Sequence, residues 1–111
     1  MPYTWYLTMI FIETSLFTKI IADFLTDDEY SGLQLFLIER PDAGQVIKGT
    51  GGVRKLRWST RGRGKSGGIR VIYYWRVSEH EIWLLTAYSK SVRENIPAHV
   101  LRKIAEEISH D

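Results

Sequence analysis

Residues 53–76 constrain the fold more than any other part of this 111-residue chain, because side-chain character there recurs with a period of two. In 53–58, Leu56 and Trp58 share one face while Lys55 and Arg57 share the other. In 69–76, Ile69, Val71, Tyr73 and Trp75 alternate with Arg70, Ile72, Tyr74 and Arg76. A β-strand turns successive side chains to opposite faces, so this periodicity predicts two strands. Residues 83–88 add a third, and sequential strands of this kind pair antiparallel as a meander. Between the first two runs a polar loop, 59–68, with four glycines and three bases.

The N-terminal half follows a different period. Strand-like residues Met9, Ile10, Phe11 and Ile12 come first, and Thr14 or Ser15 then caps a helix with Leu16, Phe17, Ile20, Ile21 and Phe24 at helical spacing. Thr26 and Glu29 form a capping box with acids in the first turn, launching a second helix through Tyr30, Leu33, Leu37 and Ile38 that Pro41 stops. Pro97 starts a last helix whose inward stripe is Val100, Leu101, Ile104, Ala105 and Ile108. The expected architecture is α+β: an N-terminal strand and a helical hairpin packed on an antiparallel β-meander, with a C-terminal helix. The helices are expected on one face of the sheet, leaving the other open. One domain accounts for residues 1–111, with 1–8 as an N-terminal extension, since a chain this long can bury a core without staples. Cysteine is absent, which excludes disulfides, thiolate zinc sites and cysteine nucleophiles. The apolar N-terminus has no basic flank and meets Glu13 far short of a membrane span, so neither export nor anchoring is expected and the location is read as cytoplasmic.

Charge is distributed unevenly behind a net value of +2. Residues 1–42 hold seven acids against two bases, whereas 48–76 contain Lys48, Arg54, Lys55, Arg57, Arg61, Arg63, Lys65, Arg70 and Arg76 and no acid at all. A solvated surface mixes both signs, so a single-sign run of this length points to a polyanionic partner. Lys55, Arg57 and Arg70, each the outward member of its alternation, are expected together on the open face. Arg61, Arg63 and Lys65 in the loop suit a sugar-phosphate backbone.

The remaining chemistry narrows by residue type. His80, His99 and His110 stand singly and lack metal-ligand spacing, so no metal and no cofactor are expected. Gly64, Lys65 and Ser66 resemble a phosphate-binding loop, but Ser59 stands where that motif needs glycine and a strand follows where it needs a helix. Cations can accelerate RNA cleavage, because attack of a 2′-hydroxyl on the adjacent phosphate builds negative charge on the phosphorane. Arg57 and Arg70 would stabilise that charge, and Lys55 or Lys90 would carry the proton. Tyr74 and Tyr88 are candidates to stack a base, with core packing the commoner role for each.

The pattern resembles the RelE superfamily of toxins from bacterial toxin–antitoxin modules, most closely its HigB branch. The similarity covers residues 9–108 and rests on G-T-G-G-V-R-K-L-R at 49–57, R-G-R-G-K-S-G-G at 61–68 and I-R-V-I-Y-Y at 69–74. T-D-D-E-Y at 26–30 and L-L-T-A-Y-S-K at 84–90 agree in order and spacing. The resemblance implies a metal-independent mRNA interferase acting on messenger RNA in the ribosomal A site. It assigns Lys55, Arg57, Arg70 and Lys90 to the reaction, with Arg93 nearby. It also implies a helix-turn-helix, HigA-like antitoxin partner, and contact with DNA only through that antitoxin. RelE itself has an adjacent Lys and Arg after the last strand, where only Lys90 stands here, and its C-terminal tyrosine falls at Ile96. Two rival readings use the same basic patch: a non-catalytic nucleic-acid-binding module, and a protein-interaction domain that docks an acidic protein.

Overall fold

The computed structural model describes residues 8–59, 68–92 and 96–109. Its elements are β1 (Ile10–Glu13), α1 (Ser15–Phe24), α2 (Asp27–Glu39), β2 (Gln45–Val46), β3 (Val53–Trp58), β4 (Ile69–Arg76), a 3-10 turn (Val77–Glu79), β5 (Glu81–Ser89) and α3 (Ala98–Ser109). The strands form one sheet in the order β1-β5-β4-β3-β2. β3, β4 and β5 pair antiparallel as the alternation predicts, while β1 joins β5 in parallel, so the sheet is mixed.

Caps set both helices of the hairpin. The Thr14 hydroxyl accepts from the Phe17 N–H at 3.1 Å and donates to the Leu85 carbonyl at 2.8 Å, so one group starts α1 and ties it to β5. Thr26 and Glu29 close the expected capping box, at 3.1 and 2.8 Å. Glu13, at the end of β1, accepts from the hydroxyls of Thr18 and Tyr30, which binds strand, first helix and second helix to one carboxylate. The hairpin buries Phe17, Ile21, Leu25, Leu33 and Leu37 against Leu56, Ile69, Val71, Tyr73, Ile82 and Leu84.

The second face of the sheet is not open. α3 lies across it and buries Leu101, Ala105 and Ile108 against Val53, Ile72 and Leu85. The reason is legible in β4: the positions alternating with its core residues include Ile72 beside the arginines, so this face is apolar along its middle and needs cover. A bulge opposite Ile72 and Tyr73 inserts Leu85 as an extra residue of β5 and adds it to that apolar strip. Three residues expected inward prove exposed: Val100, Leu16 and Ile38.

Two anchors hold β2 and β4 in place. Tyr73 is fully buried; its hydroxyl donates to the Pro41 carbonyl at 2.7 Å and accepts from the Gly44 N–H at 2.9 Å. Gly44 is pressed so close that a Cβ there would sit 2.9 Å from the Tyr73 ring. Gly68 leads into β4 at φ +91°, and a Cβ there would lie 2.3 Å from the Trp58 carbonyl. Gly68→Ala is therefore expected to destabilise the fold by about 1–3 kcal/mol, read as a lower urea midpoint. Burial raises the hydroxyl pKa of Tyr73, and burial together with Glu13 raises that of Tyr30. Folding thus favours their protonated forms, a contribution present below the unfolded tyrosine pKa of about 10 and lost as pH rises above it. Stability should fall from pH 10 upward, and Tyr73→Phe or Tyr30→Phe should flatten that decline in denaturation measured across pH.

Candidate nucleic-acid interface

The site is a product of register. Arg57 of β3 stands directly opposite Arg70 of β4, Lys55 opposite Ile72, and Arg70 in turn opposite Tyr88 of β5. The Ile47 N–H donates to the Val53 carbonyl across β2 and β3, so odd-numbered residues of β3 turn their backbone groups away from β4. Arg57 and Arg70 therefore form a non-hydrogen-bonded pair, the class with Cα atoms about 4.5 Å apart and side chains closest. Their face is the one that α3 partly covers. Lys55 and Arg57 remain exposed beside the helix and Arg70 is half-buried, so the cations occupy the uncovered strip of that face. Lys90, exposed just past β5, has its N–H on the Gly68 carbonyl at 3.3 Å and so lies at the same end of the sheet.

Partners separate these cations from the others. Lys55, Arg57, Arg70 and Lys90 make no ion pair and no side-chain hydrogen bond among the described residues. Like charges directly opposite on a sheet repel, and no carboxylate among the described residues pairs with them. Arg54 points to the opposite face, where its guanidinium donates to the carbonyls of Asp42 and Gly44 at 3.0 and 2.7 Å and braces the loop before β2. Arg76 pairs with Glu81 at 3.3 Å, and the same carboxylate oxygen accepts from the Trp83 indole at 3.0 Å. Of the nine bases in residues 48–76, these two are thus committed within the fold, although sequence alone ranks them with the rest.

Tyr88 adjoins Arg70 across the β4–β5 ladder, half-buried against the α3 side of the core. Tyr74 packs farther along that side, opposite Val53 and against the Gly52 turn. Lys48 is exposed in the turn before β3. Arg61, Arg63, Lys65 and Arg93 lie outside the described residues. A hollow of about 430 Å³ opens beside the cations, lined by Ala43, Gln45, Lys55, Leu56 and Arg57. Gln45 brings a neutral amide opposite Lys55. It comes from a two-residue strand, too short for any periodicity to reveal.

Among the described residues no group of three His, Asp or Glu side chains is placed to hold a metal, and no helix is long and apolar enough to cross a membrane. What the site offers is cationic hydrogen-bond donors, two of them guanidinium forks that match the oxygens of a phosphate.

A family model described as the RelE toxin of the RelE/RelB toxin–antitoxin system matches residues 35–110, a span that takes in β2 to β5, α3 and every cation of the site. That match covers well over half of the chain, and the α+β fold with its mixed sheet and C-terminal helix agrees with it: the chain belongs to the RelE toxin family.

Proposed function

We propose that this toxin is a ribosome-dependent, metal-independent endoribonuclease that cleaves messenger RNA in the A site and so halts translation. The observation that carries this reading is the set of cations, Lys55, Arg57 and Arg70, side by side on the uncovered strip of the sheet with no ion pair among the described residues. Arg57 and Arg70 grip the non-bridging oxygens of one phosphate. The 2′-oxygen of the preceding ribose attacks phosphorus, the bond from phosphorus to the 5′-oxygen breaks, and a cyclic phosphate and a free 5′-hydroxyl result. Charge growing on the phosphorane is met by the two guanidinium groups. Lys55 and Lys90 serve the proton leaving the 2′-hydroxyl and the proton reaching the 5′-oxygen.

Lys48, Arg61, Arg63, Lys65 and Arg93 bind the RNA backbone and the ribosome, and Tyr88 stacks a neighbouring base. Arg54 and Arg76 act on this surface only indirectly, through the loop and turn they hold. The branch is HigB, the partner a HigA-like helix-turn-helix antitoxin, and the site of action the cytoplasm.

Induced expression should arrest growth, and primer extension on a translated message should map cuts within codons. Arg70→Ala should abolish both, with cleavage reduced about a hundredfold or more, the usual scale for losing one preorganised oxyanion donor. Folded wild-type protein that accumulates without arrest, or arrest that persists in Arg70→Ala, would count against the reading. A non-catalytic RNA-binding module would instead leave messages uncut while Arg70→Ala weakened only binding. Separately, Lys48→Ala should lower affinity for the ribosome and reduce the slope of log affinity against log salt by about 0.7–0.9, the contribution of one phosphate contact.

A further inference from the structure

On the hairpin side of β3 lies a second hollow, of about 480 Å³, lined by Glu29, Phe36, Arg57, Trp58 and Ser59. The proposed reaction uses neither of its aromatic residues. Phe36 of α2 and Trp58 of β3 meet as a tilted pair with centroids 5.2 Å apart and planes at 48°. Each is half-buried against the hairpin core, so packing anchors the pair while part of it borders the hollow. The indole N–H of Trp83 is taken by Glu81, but that of Trp58 has no acceptor in the protein among the described residues. No buried side-chain polar atom there lacks a partner, so the Trp58 N–H reaches solvent. A large aromatic with an unspent donor at a concave surface suits a flat heteroaromatic ring that carries acceptors.

Position ties this hollow to the cations. Arg57 borders it and also the hollow beside Lys55, and Trp58 follows Arg57 on the same strand, about 3.3 Å farther along. β2 pairs only with Arg54 and Lys55, so from Leu56 to Trp58 no described strand lies against the outer edge of β3. Ala43 borders that edge beside Leu56, and Arg57 is the residue that the two hollows share.

We propose that this hollow is a base subsite: it receives the base of a nucleotide adjoining the phosphate held by Arg57 and Arg70, stacked on Trp58. The inference rests on the proposed function, because the phosphate site supplies the tether. Continuity with that site through Arg57, and the exposed indole donor, favour a nucleobase over an apolar peptide side chain. Stacking tolerates any base, so the subsite positions the RNA more than it reads sequence.

The test uses the full chain, labelled with nitrogen-15, and a trinucleotide of 2′-O-methyl ribonucleotides whose blocked 2′-oxygen cannot attack. The Trp58 indole cross-peak is assigned by its loss in Trp58→Phe. The expected result is a saturable shift of that peak in step with the backbone amides of Arg57 and Arg70. Trp58→Leu should weaken trinucleotide binding about tenfold, while a fully abasic analogue binds both proteins alike. Shifts at Arg57 and Arg70 with the indole unmoved would overturn the base subsite and leave the phosphate site standing. No shift at any residue would overturn both.

Discussion

Two guanidinium groups stand opposite each other on adjacent strands, and most of what is particular to this protein follows from keeping them there. A slip of one residue between β3 and β4 would send Arg57 to the other face and Leu56 out of the core. The register is held from both sides. Leu56 pairs with Val71 beneath the hairpin, and Val53 pairs with Tyr74 beneath α3, so burial on two faces opposes any shift. Burying a large apolar side chain is worth about 1.5–3 kcal/mol, whereas a cross-strand charge pair costs at most about 1 kcal/mol. Packing therefore outweighs the repulsion that the site requires.

α3 gives that balance its spatial form. It covers the apolar middle of the second face and leaves Lys55 and Arg57 beside it in solvent, so a single strand pair carries both core and interface. The bulge in β5 helps, since Leu85 as an extra residue widens the apolar strip under α3 without displacing Tyr88 from its place opposite Arg70. The glycine turn before β3 lies near the start of the helix, where a Cβ on Gly49 would reach Ala98 at 3.7 Å and one on Gly51 would reach Arg102 at 4.0 Å. Helix, turn and strands thus set the boundary of the cationic strip together.

The basic residues divide by what they touch. Arg54 lies one position from Lys55 in the chain and on the opposite face of the sheet, bracing carbonyls in the loop that Tyr73 also pins. Arg76 ends β4 and spends its charge on Glu81 at the far end of the strand from Arg70. A cation with a protein partner is a strut; one without is available to an anion. The membership of the chain in the RelE toxin family and the geometry of the cations that have no partner among the described residues converge on the same strands.

Local rules in the sequence determined most of the elements and, in β3 and β4, the face of each side chain. The caps at Thr14 and Thr26, the stop at Pro41 and the alternation in 53–58 and 69–76 are short-range chemistry, and each appears in the structure where the residues put it. That Lys55, Arg57 and Arg70 share a face was legible for the same reason. Long-range packing decided the rest. The parallel docking of β1 on β5, the passage of α3 across the second face, the two-residue strand that brings Gln45 to Lys55 and the capture of Arg54 all join residues ten or more apart in the chain. Periodicity tells a side chain which way to point. Only the assembled fold determines what stands opposite it, and so which charges remain for a partner.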